Sequence, residues 1–203
     1  MGALKRSALC LAAFAIIVLV LAAGNWLGSR LNPMARAGGR VFGPRAMPAF
    51  IGRDQHGRVI AAADLRGHLV IGDFIFTRCQ GICPTLTSHM IALQRLLAAP
   101  QTRFISFSLD PDYDTPAVLK AYADRWKGDP ARWSLVTLEP GTLDAMLAAV
   151  DDGAPPREAR GETEPHTTRF FLADARGLIR GSYAGDDGLA IRRMAADAAA
   201  LQR

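Results

Sequence analysis

The sequence has few cysteines and no concentrated basic surface. Only three of its 203 residues are cysteine, and two of them, Cys79 and Cys83, lie outside the apolar N-terminal segment. Two cysteines are too few for a disulfide-stabilised scaffold. The formal net charge is +5, but the arginines are scattered and form no basic stripe with interleaved aromatic residues, which argues against nucleic acid binding. The two cysteines are therefore expected to act as one functional pair.

The N-terminal part of the chain contains one long apolar run. Every residue from Ala8 to Ala23 is apolar, and residues 24–28 extend the run to about the length that spans a bilayer core. Cleaved signal peptides usually have a shorter apolar region, so we predict an uncleaved transmembrane anchor over residues 1–30. Lys5 and Arg6 precede the run, but arginines also follow it, so charge alone leaves the orientation open.

After the anchor, the sequence predicts a linker over residues 31–46 and one α/β domain over residues 47–203. The linker contains two prolines and a Gly-Gly pair, which is typical of a tether. In the middle of the domain strands alternate with helices, which favours parallel pairing. This order predicts a thioredoxin-like fold with an added N-terminal β-hairpin. The predicted elements are a hairpin over 49–60, strands at 69–76, 103–109 and 133–138, helices at 85–97, 116–126 (with Thr115 as N-cap) and 142–150, a second hairpin formed by 168–172 and 178–183, and a last helix from about residue 186.

Cys79 and Cys83 lie at the turn between the predicted strand 69–76 and the predicted helix 85–97. Free backbone N–H groups at a helix start and the helix dipole lower the pKa of a thiol there. With three residues between them, helix geometry places their Cα atoms about 6 Å apart, within the range that permits a disulfide. The same spacing suits Cu(I), which thiolates select. The pair can therefore exchange disulfides or hold a soft metal, and these residues alone leave both open.

A metal would need a further ligand, and His166 is the best placed of the four histidines. His56 lies in a predicted turn, His68 precedes a strand, and His89 is more than one helical turn beyond the cysteines on a different face. His166 stands just before the predicted strand 168–172. In a thioredoxin-like fold the segment leading into that strand faces the cysteine turn, so we predict His166 as the third ligand.

Two stretches resemble the signatures of the Sco/SenC family of copper chaperones. The first is residues 74–85, which read FIFTRCQGICPT, and the second is residues 108–116, which read SLDPDYDTP. Residues 50–57 and 64–67 are similar to the opening hairpin of that family, and His166 resembles its single ligand histidine. The resemblance covers roughly residues 41–185.

This resemblance implies a metallochaperone rather than an enzyme. Cys79, Cys83 and His166 would bind copper, as Cu(I) or Cu(II), received from an upstream copper donor. The domain would deliver the copper to the apo subunit that carries the copper A site of cytochrome c oxidase. The resemblance also implies a single-pass protein of the bacterial inner membrane, with its C-terminal domain on the periplasmic side.

A thiol–disulfide oxidoreductase is the alternative. Cys79 and Cys83 would then be catalytic and would form a disulfide while they reduce the cysteines of an apo copper site or of another extracytoplasmic protein. That activity would not require His166. The two functions are compatible, because copper can be loaded only onto reduced cysteines of the target. A peroxiredoxin-type peroxidase is disfavoured, because the paired cysteine is four residues away rather than on a distant element.

Overall fold

The computed structural model describes residues 40–150 and 167–202. The predicted anchor (residues 1–30), the first part of the predicted linker and His166 lie outside these ranges. No helix within them is long and apolar enough to cross a membrane.

The described residues form one mixed sheet of eight strands together with four helices. A short 3-10 turn, Ala62–Leu65, follows the first hairpin. The elements in chain order are β1 (Arg40–Ala46), β2 (Ile51–Asp54), β3 (Val59–Ala61), β4 (Leu69–Ile75), α1 (Cys83–Leu96), β5 (Thr102–Ser108), α2 (Pro116–Trp126), β6 (Trp133–Leu138), α3 (Pro140–Val150), β7 (Arg169–Ala173), β8 (Leu178–Ala184) and α4 (Gly188–Leu201).

The strand order across the sheet is β1-β8-β7-β4-β5-β6-β2-β3. The central pairs β4–β5 and β5–β6 are parallel, which confirms the prediction from the alternating strands and helices. The flanking pairs are antiparallel, including β4–β7 and β2–β6. All seven residues of β4 are buried, as expected for a strand covered on both faces.

The two faces of β4 carry different side chains because successive residues of a strand point to opposite faces. Val70 and Phe74 belong to the main apolar cluster, together with buried residues of α3. Asp73 therefore points to the other face. That face holds α1, which contacts both α2 and α4. The helix that begins at Cys83 thus packs on the same side of the sheet as the buried carboxyl of Asp73.

The predicted start of α2 is confirmed. The Thr115 side chain accepts a hydrogen bond from the N–H of Val118 at 3.4 Å, and Pro116 occupies the first turn, where its missing N–H costs nothing. The predicted hairpins, the strand at β6 and the remaining helices are also present, with boundaries shifted by a few residues at most.

The structure differs from the predicted linker over residues 40–46, which form β1 and pair antiparallel with β8. The register shifts between Val41 and Arg45, and Pro44 lies in that interval. Proline cannot donate to a strand ladder and is tolerated at an edge or a bulge. The proline and glycines that favour a tether are therefore compatible with this edge strand.

Candidate metal and redox site

Cys79 and Cys83 lie where the central strand β4 gives way to α1. Cys79 is in the connecting segment, residues 76–82, which we call the cysteine loop, and Cys83 is the first residue of α1. Both are free thiols; Cys79 is half-buried and Cys83 is only 3% exposed. This is the carboxyl end of a parallel strand, where open α/β sheets place their binding sites. The predicted strand-to-helix turn is confirmed.

The two thiols have different electrostatic surroundings. Burial by itself raises the pKa of Cys79, but hydrogen bonds from the backbone and thiol of Cys83 and from the N–H groups of Gly81 and Ile82 lower it below its ordinary value. Burial raises the pKa of Cys83, and the nearby Cys79 and Asp73 raise it further. Cys79 is therefore the more exposed thiol and the one that loses its proton more readily, and its sulfur accepts a hydrogen bond from the Cys83 thiol.

Asp73 is a fully buried carboxyl beneath this pair. The Ser106 hydroxyl donates to Asp73 Oδ1 at 2.5 Å, and Trp133 Nε1 donates to Ser106 Oγ at 3.0 Å. Asp73 Oδ2 has no hydrogen-bond partner among the described residues. Burial raises the pKa of Asp73 to about 7. Sequence reasoning missed this residue, because it treated residues 69–76 as an apolar strand; the one charge within that run was the available signal.

The segment 108–116, which connects β5 to α2, holds the cysteine loop. Asp114 accepts hydrogen bonds from the N–H of Thr77, at 3.2 Å, and from its hydroxyl. Arg78 forms an ion pair with Asp110. The two stretches that resemble family signatures are therefore in direct contact, which gives the second one a structural role.

A groove of about 870 Å³ opens beside Cys79. Cys79 and Arg78 line it from the cysteine loop, and Arg125 and Trp126 line it from α2. Tyr113, at its rim, is 45% exposed. The groove gives another molecule access to Cys79 but not to the buried Cys83.

The described histidines do not join the thiols. His89 donates from Nδ1 to the carbonyl oxygen of Gly185 at 2.8 Å, so it ties α1 to the segment after β8. His56 is exposed in the first hairpin turn and His68 precedes β4. Within residues 40–150 and 167–202, no group of three or more His, Cys, Asp or Glu side chains is arranged to hold a metal.

His166 lies outside the described residues, but the strand that follows it, β7, lies next to β4. β7 pairs antiparallel with β4, with Phe171 opposite Gly72 and Ala173 opposite Val70. The start of β7 therefore lies beside the end of β4 that leads into the cysteine loop. Thr167, directly after His166, is buried.

A mixed sheet with parallel central strands and a free cysteine pair at a strand-to-helix turn defines a thioredoxin-like protein with a dithiol site. The sequence model of the SCO1/SenC family matches residues 40–202. The chain belongs to this family.

Relatives of known sequence and structure agree with that assignment. The SCO1 protein homolog of Bacillus subtilis is 32% identical over 145 residues, which cover 67% of this chain and 72% of the relative. A SCO1/SenC family lipoprotein from Bacillus anthracis superposes with a TM-score of 0.67 at 26% identity, covering 80% of this chain and 99% of that one.

Two further solved structures are similar to this chain. BsSco is described as a member of the Sco family of cytochrome c oxidase assembly proteins with a disulfide switch; its TM-score is 0.65 at 26% identity, over 79% of this chain and 96% of that one. ScoI of Bradyrhizobium japonicum was solved with copper bound; its TM-score is 0.57 at 24% identity, over 78% of this chain and 98% of that one. This last likeness supports the shared fold.

Proposed function

We propose that this protein binds copper through Cys79, Cys83 and His166 and delivers it to the copper A site of cytochrome c oxidase. The observation that carries the proposal is a pair of free thiols, one half-buried and one buried, at the end of β4 in a chain of the SCO1/SenC family. It is supported by the copper bound to one relative and by the description of another as a cytochrome c oxidase assembly protein.

The donor set suits a copper ion that is cargo rather than a permanent structural metal. Thiolates select Cu(I), and imidazole also binds copper. A structural zinc site normally uses four protein ligands, whereas the proposed site has three. Cys79 faces the groove and Cys83 is buried, so an incoming thiolate of the recipient would displace Cys79 first while Cys83 retains the ion.

The position of β7 supports His166 as the third ligand. The residues that follow His166 enter β7 beside the end of β4 that leads into the cysteine loop, and on this basis we propose that His166 reaches the two thiols. Ligand binding by the buried thiol requires loss of its proton, so copper binding would release protons.

We further propose that residues 1–30 anchor the chain in the bacterial inner membrane, with the domain 47–203 on the periplasmic side. The long apolar run supports the anchor. The lipoprotein nature of the Bacillus anthracis relative supports membrane attachment within the family. The linker would then join the anchor to β1.

The decisive experiment is a copper titration of the reduced full-length chain in detergent, followed by absorption and electron paramagnetic resonance. We expect one equivalent of Cu(II) to bind with a thiolate-to-copper charge-transfer band. The band should be lost in His166→Ala and retained in His56→Ala, a control that removes an exposed histidine. Weak binding that is the same in His166→Ala and the unaltered protein would overturn the ligand assignment.

The lowered pKa of Cys79 and the raised pKa of Cys83 favour thiol–disulfide exchange as a second candidate function. The Cys79 thiolate would attack a sulfur of the partner's disulfide and form a mixed disulfide, and the displaced sulfur would take up a proton. Cys83, after losing its proton, would attack Cys79, release the reduced partner and leave the Cys79–Cys83 disulfide. Reductase activity that survives His166→Ala, in a protein that binds copper weakly, would establish this function instead.

A further inference from the structure

Asp114 is a buried carboxylate whose hydrogen bonds converge on the residue that opens the cysteine loop. It is fully buried and accepts from the N–H and the hydroxyl of Thr77 and from the hydroxyl of Ser108 at 2.6 Å. A carboxylate can only accept hydrogen bonds, and here it has three donors. Thr77 and Asp114 are 37 residues apart in sequence, so this contact joins two separate loops.

Arg78 also joins the cysteine loop to the segment 108–116, while Phe76, at the start of the loop, packs against the main apolar cluster. Arg78 pairs with Asp110, and its guanidinium lies 4.3 Å from the ring centre of Tyr113. The side chain of Arg78 is 57% exposed, and exposed ion pairs contribute little to stability. Losing a buried, charge-assisted hydrogen bond costs more. Asp114 is therefore the stronger of the two anchors.

The two cysteines depend on different supports. Cys83 is fixed as the first residue of α1, and burial holds its side chain. Cys79 lies in the middle of the cysteine loop and has a local hydrogen bond from its own N–H to the carbonyl of Phe76, at 3.2 Å. Its sulfur also accepts hydrogen bonds from the backbone of Gly81 and Ile82 and from Cys83. The distance between the two sulfurs therefore also depends on how firmly the loop is held, and Thr77 is one of the residues that hold it.

We propose that Asp114 is a positioning residue that keeps Cys79 within bonding reach of Cys83 by fixing Thr77. This inference deepens the proposed function, on which it rests for the role of the two cysteines. It assigns Asp114, within the second signature segment, the task of supporting the cysteine loop.

The physical consequence is a higher effective concentration of one thiol at the other. A disulfide requires Cα atoms within about 4.4–6.8 Å and a narrow torsion. A loop released from Asp114 samples more positions, so fewer of them satisfy that geometry. A tenfold loss of effective concentration makes the Cys79–Cys83 disulfide tenfold easier to reduce, which corresponds to about 30 mV in reduction potential.

The test is the reduction potential of the Cys79–Cys83 pair, measured on the full-length chain in dithiothreitol redox buffers with alkylation and mass spectrometry. All variants carry Cys10→Ser, so that Cys79 and Cys83 are the only cysteines that the alkylation can detect. We expect Thr77→Val, which removes the hydroxyl but keeps the shape, to shift the equilibrium about tenfold towards the dithiol. Thr77→Ser keeps the hydroxyl and should restore the original potential, and Asp114→Asn should shift it further than Thr77→Val.

Asp54→Asn is the matched control. Asp54 is also a buried loop carboxylate, and it accepts from the N–H groups of His56 and Arg58 and from the Arg58 side chain, but it lies in the first hairpin turn. We expect it to lower the unfolding temperature without moving the potential.

Two results would overturn the proposal: an unchanged potential in Thr77→Val, or an equal shift in Asp54→Asn. If Asp114→Asn does not fold, the reduction potentials of Thr77→Val and Thr77→Ser still test the proposal. Because the measurement contains no copper, a failure of copper delivery would leave its outcome unaffected, and the two proposals can fail separately.

Discussion

Asp73 is the residue whose charge the fold disfavours most clearly. Its carboxyl is fully buried, accepts a hydrogen bond from Ser106 and has a pKa raised from 3.8 to about 7. The folded state therefore binds this proton more tightly than the unfolded chain does. Its favourable contribution is complete below about pH 3.8 and is lost as the pH rises through about 7.

We predict that Asp73→Asn flattens the pH dependence of stability between about pH 4 and 7 and makes the protein more stable at pH 8. The difference between the two pKa values corresponds to at most about 4 kcal/mol at high pH. Urea unfolding of the variant and the unaltered protein at pH 4 and pH 8 measures this change. An equal loss of stability at both pH values would show that the shape of the side chain, not its charge, is what matters.

At the level of single residues, the sequence predicted where the cysteines lie but not which polar side chains form the hydrogen bonds around them. Two thiols with three residues between them, followed by a proline, are a local pattern, so the sequence alone could predict their position at a helix start. Thr77 and its partner Asp114 are 37 residues apart in sequence, and Asp73 and its partner Ser106 are 33 residues apart. Single polar residues with distant partners leave no periodic signal, and only the packed sheet shows that they meet.

Gly72 controls how closely β4 and β7 approach each other. A Cβ atom at this position would lie 2.2 Å from the ring of Phe171, which faces Gly72 in the strand register. Phe171 is fully buried and stacks on Phe107 with ring centres 6.3 Å apart. The ring therefore occupies the space that a side chain at residue 72 would need.

We predict that Gly72→Ala destabilises the protein by about 1–3 kcal/mol, the usual cost of overpacking a core. Gly141→Ala is the matched control, because a Cβ atom there meets no other atom within 4 Å and alanine is favoured in a helix by about 0.5–1 kcal/mol. Chemical denaturation of both variants measures the contrast. Equal stabilities would mean that Phe171 moves aside at no cost.

Most elements were predictable because their sequence patterns are local. Thr115 with Pro116 marks the start of α2, and apolar runs with the lengths of strands mark β4 and β5. β1 was not predictable, because it is held by backbone pairing with β8, more than 130 residues later in the chain. Its sequence contains the proline and glycine that favour a tether, and no local rule outweighs them.

The sheet order explains why segments that are distant in sequence lie at the same end of the sheet. β5 lies beside β4 in parallel, so the segment after β5 emerges next to the cysteine loop. β7 lies on the other side of β4 and runs in the opposite direction, so the residues before β7 arrive at the same end. From the fold class, the sequence predicted that the segment leading into β7 faces the cysteine turn, but it made no such prediction for the segment after β5. The position of His166 itself stays a prediction.

β1 gives the whole sheet an additional edge strand and covers β8. Directly after it, the N–H of Met47 donates to the carbonyl oxygen of Gly177 at 2.9 Å, so the pairing continues to the turn between β7 and β8. Without β1, the backbone groups of β8 on that side would face solvent, and an open strand edge invites pairing with other chains. From this pairing we expect the folded unit to begin near residue 40 rather than at residue 47.

We predict that replacing residues 40–46 with a Gly-Ser heptapeptide lowers the unfolding temperature by several degrees, in line with a loss of about 1–2 kcal/mol in a domain of this size, and promotes association. The replacement keeps the number of residues that precede the rest of the domain, so it tests pairing and not tether length. The same replacement of residues 31–37, within the predicted linker, is the control and should change neither property. Thermal unfolding and light scattering of the full-length chain in detergent measure both. If the two replacements behave alike, residues 40–46 act only as a tether, and the domain boundary predicted from the sequence at residue 47 is the functional one.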